Sequence, residues 1–179
     1  MFIAHLPAGY LCARLASNSA NSRSVGQATL VFWGVLVGSV LPDLDMLYFY
    51  LVDNRQTNHH LYWTHIPFFW GVFLGTLMLI GRLARSRLVS VLSISILAGV
   101  MVHLLLDTPV GGIAWLYPFS AELLYLLEIP AVQHWWVLNF ILHWTFLIEV
   151  TICLAALLVL VSDLKRQKHV TAEIASNTA

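Results

Sequence analysis

Long apolar stretches separated by short polar loops run through most of this chain. A hydrocarbon core of about 30 Å takes about 20 helical residues to cross. Four stretches meet that length, near 28 to 51, 66 to 82, 88 to 107 and 136 to 162. The first 16 residues are apolar too, but Pro7 and Gly9 interrupt them and the first positive charge comes only at Arg14. A secretory signal places its basic region before its apolar one, so this segment is expected to stay as a short inserted or half-spanning helix. SNSANSRSVGQ reads as a polar loop before the first span, and DLKRQKHVTAEIASNTA, after Ser162, as a solvated, frayed tail. The pattern therefore predicts an all-α, polytopic membrane bundle: one transmembrane domain over residues 1–162 and a cytoplasmic polar tail over 163–179.

Composition agrees with the pattern. Of 179 residues, 59% are hydrophobic and 10% charged, against about 25% charged in soluble domains. The formal net charge is zero, so no basic field exists to gather nucleic acid, and none is expected as a partner. Cys12 and Cys153 are isolated and lack the spacing of a zinc ribbon or a redox pair. The short loops set an orientation. Arg14 and Arg23 precede the first span, Arg82, Arg85 and Arg87 lie between the second and third, and Lys165, Arg166 and Lys168 follow the fourth. The other two connections carry only Arg55, so the positive-inside rule places both polar ends of the chain in the cytoplasm.

Within this apolar background, ionisable side chains recur in pairs: Asp43 with Asp45, His60 with His65, and His103 with Asp107. Such groups are costly to desolvate and mark functional sites in membrane proteins. The predicted topology brings all three pairs to the same outer level. His103 and Asp107, four apart in a helical stretch, share one face about a turn apart, a spacing suited to one metal ion. Taken alone, the same pair also reads as an interhelical polar contact and a helix-end carboxylate. Asp43 and Asp45 point about 160° apart on a regular helix, so a shared site needs the break that Pro42 offers; otherwise the span ends early and leaves both in the headgroups. His60 and His65 flank a turn leading into the second span, with Thr64 the expected helix cap and Pro67 in the first turn. Tyr62, Trp63 and Trp70 suit an interfacial aromatic belt at the same place. Spacing does not separate His59 from His60 as the ligand, and His5 reaches the site only if the N-terminal helix inserts from that side.

The stretches HLPAG with His5, LPDLD with Asp43 and Asp45, HLYWTH with His60 and His65, HLLLDTP with His103 and Asp107, and LYPFS around Pro118 together resemble the bacterial membrane-bound metal-dependent hydrolases of the YdjM type. The resemblance covers about residues 1 to 120, and its His-x-x-x-Asp element is distantly similar to that of zinc-dependent phospholipase C and P1-type nucleases. It implies a helical membrane protein with a catalytic divalent metal site, zinc being the expected ion, in one or two copies. His5, Asp43, Asp45, His60, His65, His103 and Asp107 are then the metal-ligand candidates. Asp45 and Asp107 are the candidate catalytic carboxylates, as general base or by orienting a ligand imidazole. Where the family shows Arg and Ser beside its histidines, this chain has Leu61 and Ile66, so the family's anion clamp is missing.

These features lead to an inner-membrane hydrolase that attacks a lipid or lipid-linked phosphoester with a metal-bound water at the outer face. The alternatives are a transporter or metal-ion permease, and a metal-stabilised scaffold without turnover. Few polar residues occupy the cytoplasmic halves of spans two to four, which favours the enzyme over a permease. There is no GxSxG and no Gly-rich phosphate loop to support covalent or nucleotide chemistry. LLYLLEIP, near 123 to 130, reads as an interfacial helix and a lid, with Trp135 and Trp136 anchoring the adjoining boundary. Glu128, His134, His143 and Glu149 lie outside the motifs and are not assigned to the site.

Overall fold

The computed structural model describes residues 3–20 and 24–177, and Arg23, counted above among the inner charges, lies outside them. The first apolar stretch folds as α1, His5–Ala20, with Pro7 in the first turn where its missing N–H costs nothing. Ser24 caps α2, Val25–Gly38. The chain then breaks at Ser39–Leu41, forms a 3-10 turn at Pro42–Leu44, and continues as the short α3, Asp45–Leu51. α2 and the Pro42–Leu51 segment meet at a bend of 48°. Two further 3-10 turns, His59–Leu61 and Trp63–His65, lead into α4, Pro67–Leu83. α5, Arg87–Asp107, is capped by Ser86; α6, Trp136–Ile141, is short; and α7, Phe146–Asn177, is the longest helix.

α5 is the central element. It packs on α2, α4 and α1, while α7 packs on α1. Trp70 and Leu74 of α4, Val100 and Leu104 of α5, and Ile113 just beyond form the buried core. Side chains such as Phe73, Ile80, Leu154 and Leu158 remain exposed, an outer surface suited to lipid rather than to water.

The all-helical membrane fold expected from hydropathy is present, with two or three candidate spans among the described residues in place of four. Two helices, Arg87–Asp107 and Phe146–Glu173, are long and apolar enough to cross a membrane, and the bent pair α2 and Pro42–Leu51 makes a third if taken as one span. α4 has 17 residues, a rise of about 26 Å at the short end of what a span needs. The stretch from 136 to 162 is interrupted after Ile141 and helical again only from Phe146. Three local expectations also give way. Ile66, not Thr64, caps α4, because the Thr64 hydroxyl is engaged elsewhere. LLYLLEIP is not helical: Leu124 pairs with Ile113, and the amides of Leu126 and Leu127 donate to the Pro109 carbonyl. The segment after Ser162 is not frayed but continues α7 to Asn177, having neither Gly nor Pro to stop it.

Candidate metal centre

The geometry of the site begins with small residues. Gly34 and Gly38 lie one turn apart on α2 and face Ser95 and Gly99 on α5. A Cβ on Gly99 would stand 2.1 Å from the Val35 carbonyl oxygen, and one on Gly38 would stand 2.2 Å from that of Ile96. The two backbones therefore touch, as in small-xxx-small crossings of membrane helices. On α1, a Cβ on Gly9 would collide with the Ser39 side chain, so three elements meet at Ser39. One turn beyond Gly99, His103 donates from Nδ1 to the Ser39 carbonyl at 2.8 Å.

The same arrangement recurs at the other histidines. His65 directs Nδ1 at Asp45 Oδ2, 2.8 Å away, and the Thr64 hydroxyl donates to that same oxygen. His60 directs Nδ1 at the Gly112 carbonyl, 3.1 Å away. Gly112 has φ +76, and a Cβ on Gly111 would fall 2.2 Å from the His60 ring, so only this glycine pair lets the loop after α5 lie flat on the imidazole. Burial pushes the His60 imidazole down to about 3, leaving it neutral. A neutral ring whose Nδ1–H meets an oxygen presents a lone pair at Nε2, the arrangement typical of metal-binding histidine.

His65 Nε2 and His103 Nε2 lie 3.4 Å apart. Asp43 Oδ1 is 3.6 Å from each of them, and Asp107 Oδ2 is 3.8 Å from the first and 3.0 Å from the second. A tetrahedral ion with ligand bonds of about 2.0–2.1 Å has ligand-to-ligand edges of about 3.3–3.4 Å. The two imidazole nitrogens and Asp107 Oδ2 therefore lie at the separations that ligands of a small divalent cation take, with Asp43 Oδ1 3.6 Å from both nitrogens. The remaining carboxylate oxygens turn to His5: Asp43 Oδ2 is 3.3 Å from its Nδ1 and Asp107 Oδ1 is 3.0 Å from its Nε2. His5 also stacks on His103, with ring centroids 3.9 Å apart.

Three carboxylates thus converge in an apolar bundle, where uncompensated charge is costly. Protonated His5 and His65 would offset part of that charge, and a divalent cation in place of the protons would supply the rest. Both the donor set and the charge fit such an ion. His59, His60 and His65 form an adjoining group whose ring nitrogens lie within 4.8 Å of one another, so His59 and His60 both remain beside the centre. Asp43, at 36% side-chain exposure, is the open member; His65 and Asp107 are sealed at 0% and 1%.

All seven candidates are brought together at one end of the bundle, Asp45 lying behind His65. Of the groups outside the motifs, His143 contacts Thr145 instead of the cluster. Glu149 is buried on α7 and accepts from the amides of Ile3 and Ala4 at 2.6 and 3.3 Å, which secures the chain leading into His5. Thr64 and Ser39 are positioning groups that pairing of ionisable residues did not reveal. The GxxxG spacing of Gly34 and Gly38 was the available signal for the α2–α5 crossing.

No curated protein and no solved structure matches the chain. The family model of the YdjM inner membrane protein matches residues 1–175. That match takes in the N-terminal helix, the broken span, the two 3-10 turns, the end of α5 and nearly all of α7, so the polar cluster lies wholly inside it. With its apolar helices, this multi-pass inner-membrane chain belongs to the YdjM inner membrane protein family.

Proposed function

We propose that the protein is a membrane-embedded, divalent-metal-dependent hydrolase of a lipid or lipid-linked phosphoester, with its site toward the outer face of the inner membrane. The observation that carries this reading is the convergence of His65 Nε2 and His103 Nε2, 3.4 Å apart, with Asp107 Oδ2 and Asp43 Oδ1 each 3.0 to 3.8 Å from both. Those residues would hold the cation, zinc by donor type. Such an ion supplies Lewis acidity and makes a water acidic near neutral pH.

The chain's own groups complete the chemistry. Asp45 fixes the His65 ring through Nδ1, and the Ser39 carbonyl does the same for His103. Asp43, the most open carboxylate of the three, faces the entering substrate and takes up the proton that the attacking water gives up. From Asp43 Oδ2 a path of contacts runs through His5 Nδ1 and Nε2 to Asp107 Oδ1, so one imidazole can pass the proton to a buried carboxylate. In this scheme Asp45 acts from behind the reacting atoms, while Asp107 would hold the cation through Oδ2 and meets His5 through Oδ1. The predominance of Lys and Arg at the opposite end of the bundle supports the outward placement.

The test is elemental analysis of detergent-purified protein, wild type beside His103→Ala and Asp107→Ala, followed by phosphoester hydrolysis assays. The expected result is one or two equivalents of zinc in the wild type, lost in both variants together with hydrolysis. A wild type that binds no transition metal after reloading would overturn the reading.

A further inference from the structure

The sequence holds nine Lys and Arg residues, and among the described residues seven of them belong to the end of the bundle opposite the polar cluster. That end is knit together by its charges. Arg14 of α1 grips Asp163 of α7 with Nε and Nη2 at 2.6 and 2.7 Å, and Arg87 donates to Gln27 at 2.8 Å. Arg55 is the exception: among the described residues it is the only Lys or Arg at the cluster's end. A lone cation there runs against the charge bias of membrane proteins.

Arg55 occupies a built place. It and Asn54 both adopt left-handed backbone, φ 63 and 49, in the tight turn after α3. Asp53 braces that turn by accepting from the amide and hydroxyl of Thr57 at 2.7 and 3.2 Å. The Arg55 guanidinium has no hydrogen-bond or ion-pair partner among the described residues. It lines a cleft of about 660 Å³ together with the polar Asn58, His59 and His60 and the apolar Met46, Phe49 and Phe140. His59 and His60 are also the wall between this cleft and the cluster, their ring centroids 5.1 and 4.8 Å from that of His65.

From these observations we infer that Arg55 is a specificity-determining residue: it clamps the phosphoryl group of a phosphomonoester that enters through this cleft, while Met46, Phe49 and Phe140 receive the hydrocarbon attached to it. A planar guanidinium forms paired hydrogen bonds to phosphoryl oxygens. A cleft lined by both polar and large apolar side chains accommodates an amphiphile. The inference rests on the proposed hydrolase for its second step, the passage of the bound ester to the metal centre, but the binding step stands by itself.

The experiment separates the two. The full-length protein in detergent is titrated calorimetrically with inorganic phosphate and with dihexanoyl phosphatidic acid, in zinc-loaded and chelator-treated states. Wild type, Arg55→Ala, Arg55→Lys and His103→Ala are compared, with zinc content measured for each. The expected result is binding weakened about tenfold or more in Arg55→Ala, partly restored in Arg55→Lys, with zinc content unchanged and the effect present without zinc. Tighter binding of phosphatidic acid than of inorganic phosphate supports the seat for the hydrocarbon; equal binding overturns that part of the inference. Undiminished binding in Arg55→Ala overturns the inference and leaves the metal centre standing. Arg55-dependent binding in a protein that never takes up zinc supports the clamp and overturns the hydrolase.

Discussion

At the scale of single residues, the cluster divides by which side of each imidazole a group occupies. Asp43 and Asp45 are two positions apart, yet Asp43 meets Nε2 of His65 and Asp45 meets Nδ1 of the same ring. Asp45→Asn replaces a charge-assisted bond with a neutral one and leaves the side chain's shape, so its expected effect is a fall in zinc affinity of about 10- to 100-fold. Competition against a chelator of known affinity measures it. Thr64→Val removes the hydroxyl that donates to Asp45 but leaves the Asp45–His65 contact, so a smaller loss is expected. Equal zinc affinity in wild type and Asp45→Asn would mean that Asp45 does not orient the ligand. The three pairs were legible in the sequence because ionisable groups are rare in so apolar a chain. Their division of labour was not, since it depends on 3-10 turns at Pro42–Leu44 and Trp63–His65 that redirect side chains in ways no regular helical spacing encodes.

At the scale of elements, the close crossing of α2 and α5 holds His103 within reach of Ser39. Gly99→Ala forces a methyl against the Val35 carbonyl and the Ser39 amide. The overpacking is expected to cost about 1–3 kcal/mol and to lower both thermal stability and zinc occupancy. Gly71→Ala on α4 is the control, because a Cβ there meets nothing within 4 Å. Thermal unfolding of the two variants, read in the same detergent, checks the contrast; equal Tm values would argue against a structural role for the crossing. Pro42 correctly marked the break in the first span. The break at 142–145 carried no such warning: neither Gly nor Pro occurs between Trp136 and Phe146, and the apolar run continues across it. Glu149 was hidden for a different reason, since its partners, the amides of Ile3 and Ala4, lie 146 and 145 residues away. Such pairings are invisible to any local pattern.

For the whole molecule, the polar cluster joins elements that also pack on one another, α5 lying against α1, α2 and α4. His5 comes from the start of α1, Asp43 from the broken span, His65 from the turn before α4, and His103 and Asp107 from the end of α5. A cation bound by these side chains therefore ties together four segments that are far apart in sequence. A ligand that binds only the folded state stabilises it by about 4 kcal/mol when present at about 1,000 times its Kd. Chelation of the purified protein is accordingly expected to lower its Tm, and readdition of zinc to restore it, while His103→Ala, already lacking a ligand, should respond to neither. The same measurement distinguishes a cluster that needs an ion from one balanced by its own protons. If His5 and its neighbours alone compensated Asp43, Asp45 and Asp107, wild type and His103→Ala would melt alike with and without chelator, and the cluster would be a structural knot instead of a metal centre. The two outcomes differ in what occupies Nε2 of His65 and His103, a cation or a proton, because the Nδ1 atoms of both rings are already committed to Asp45 and Ser39.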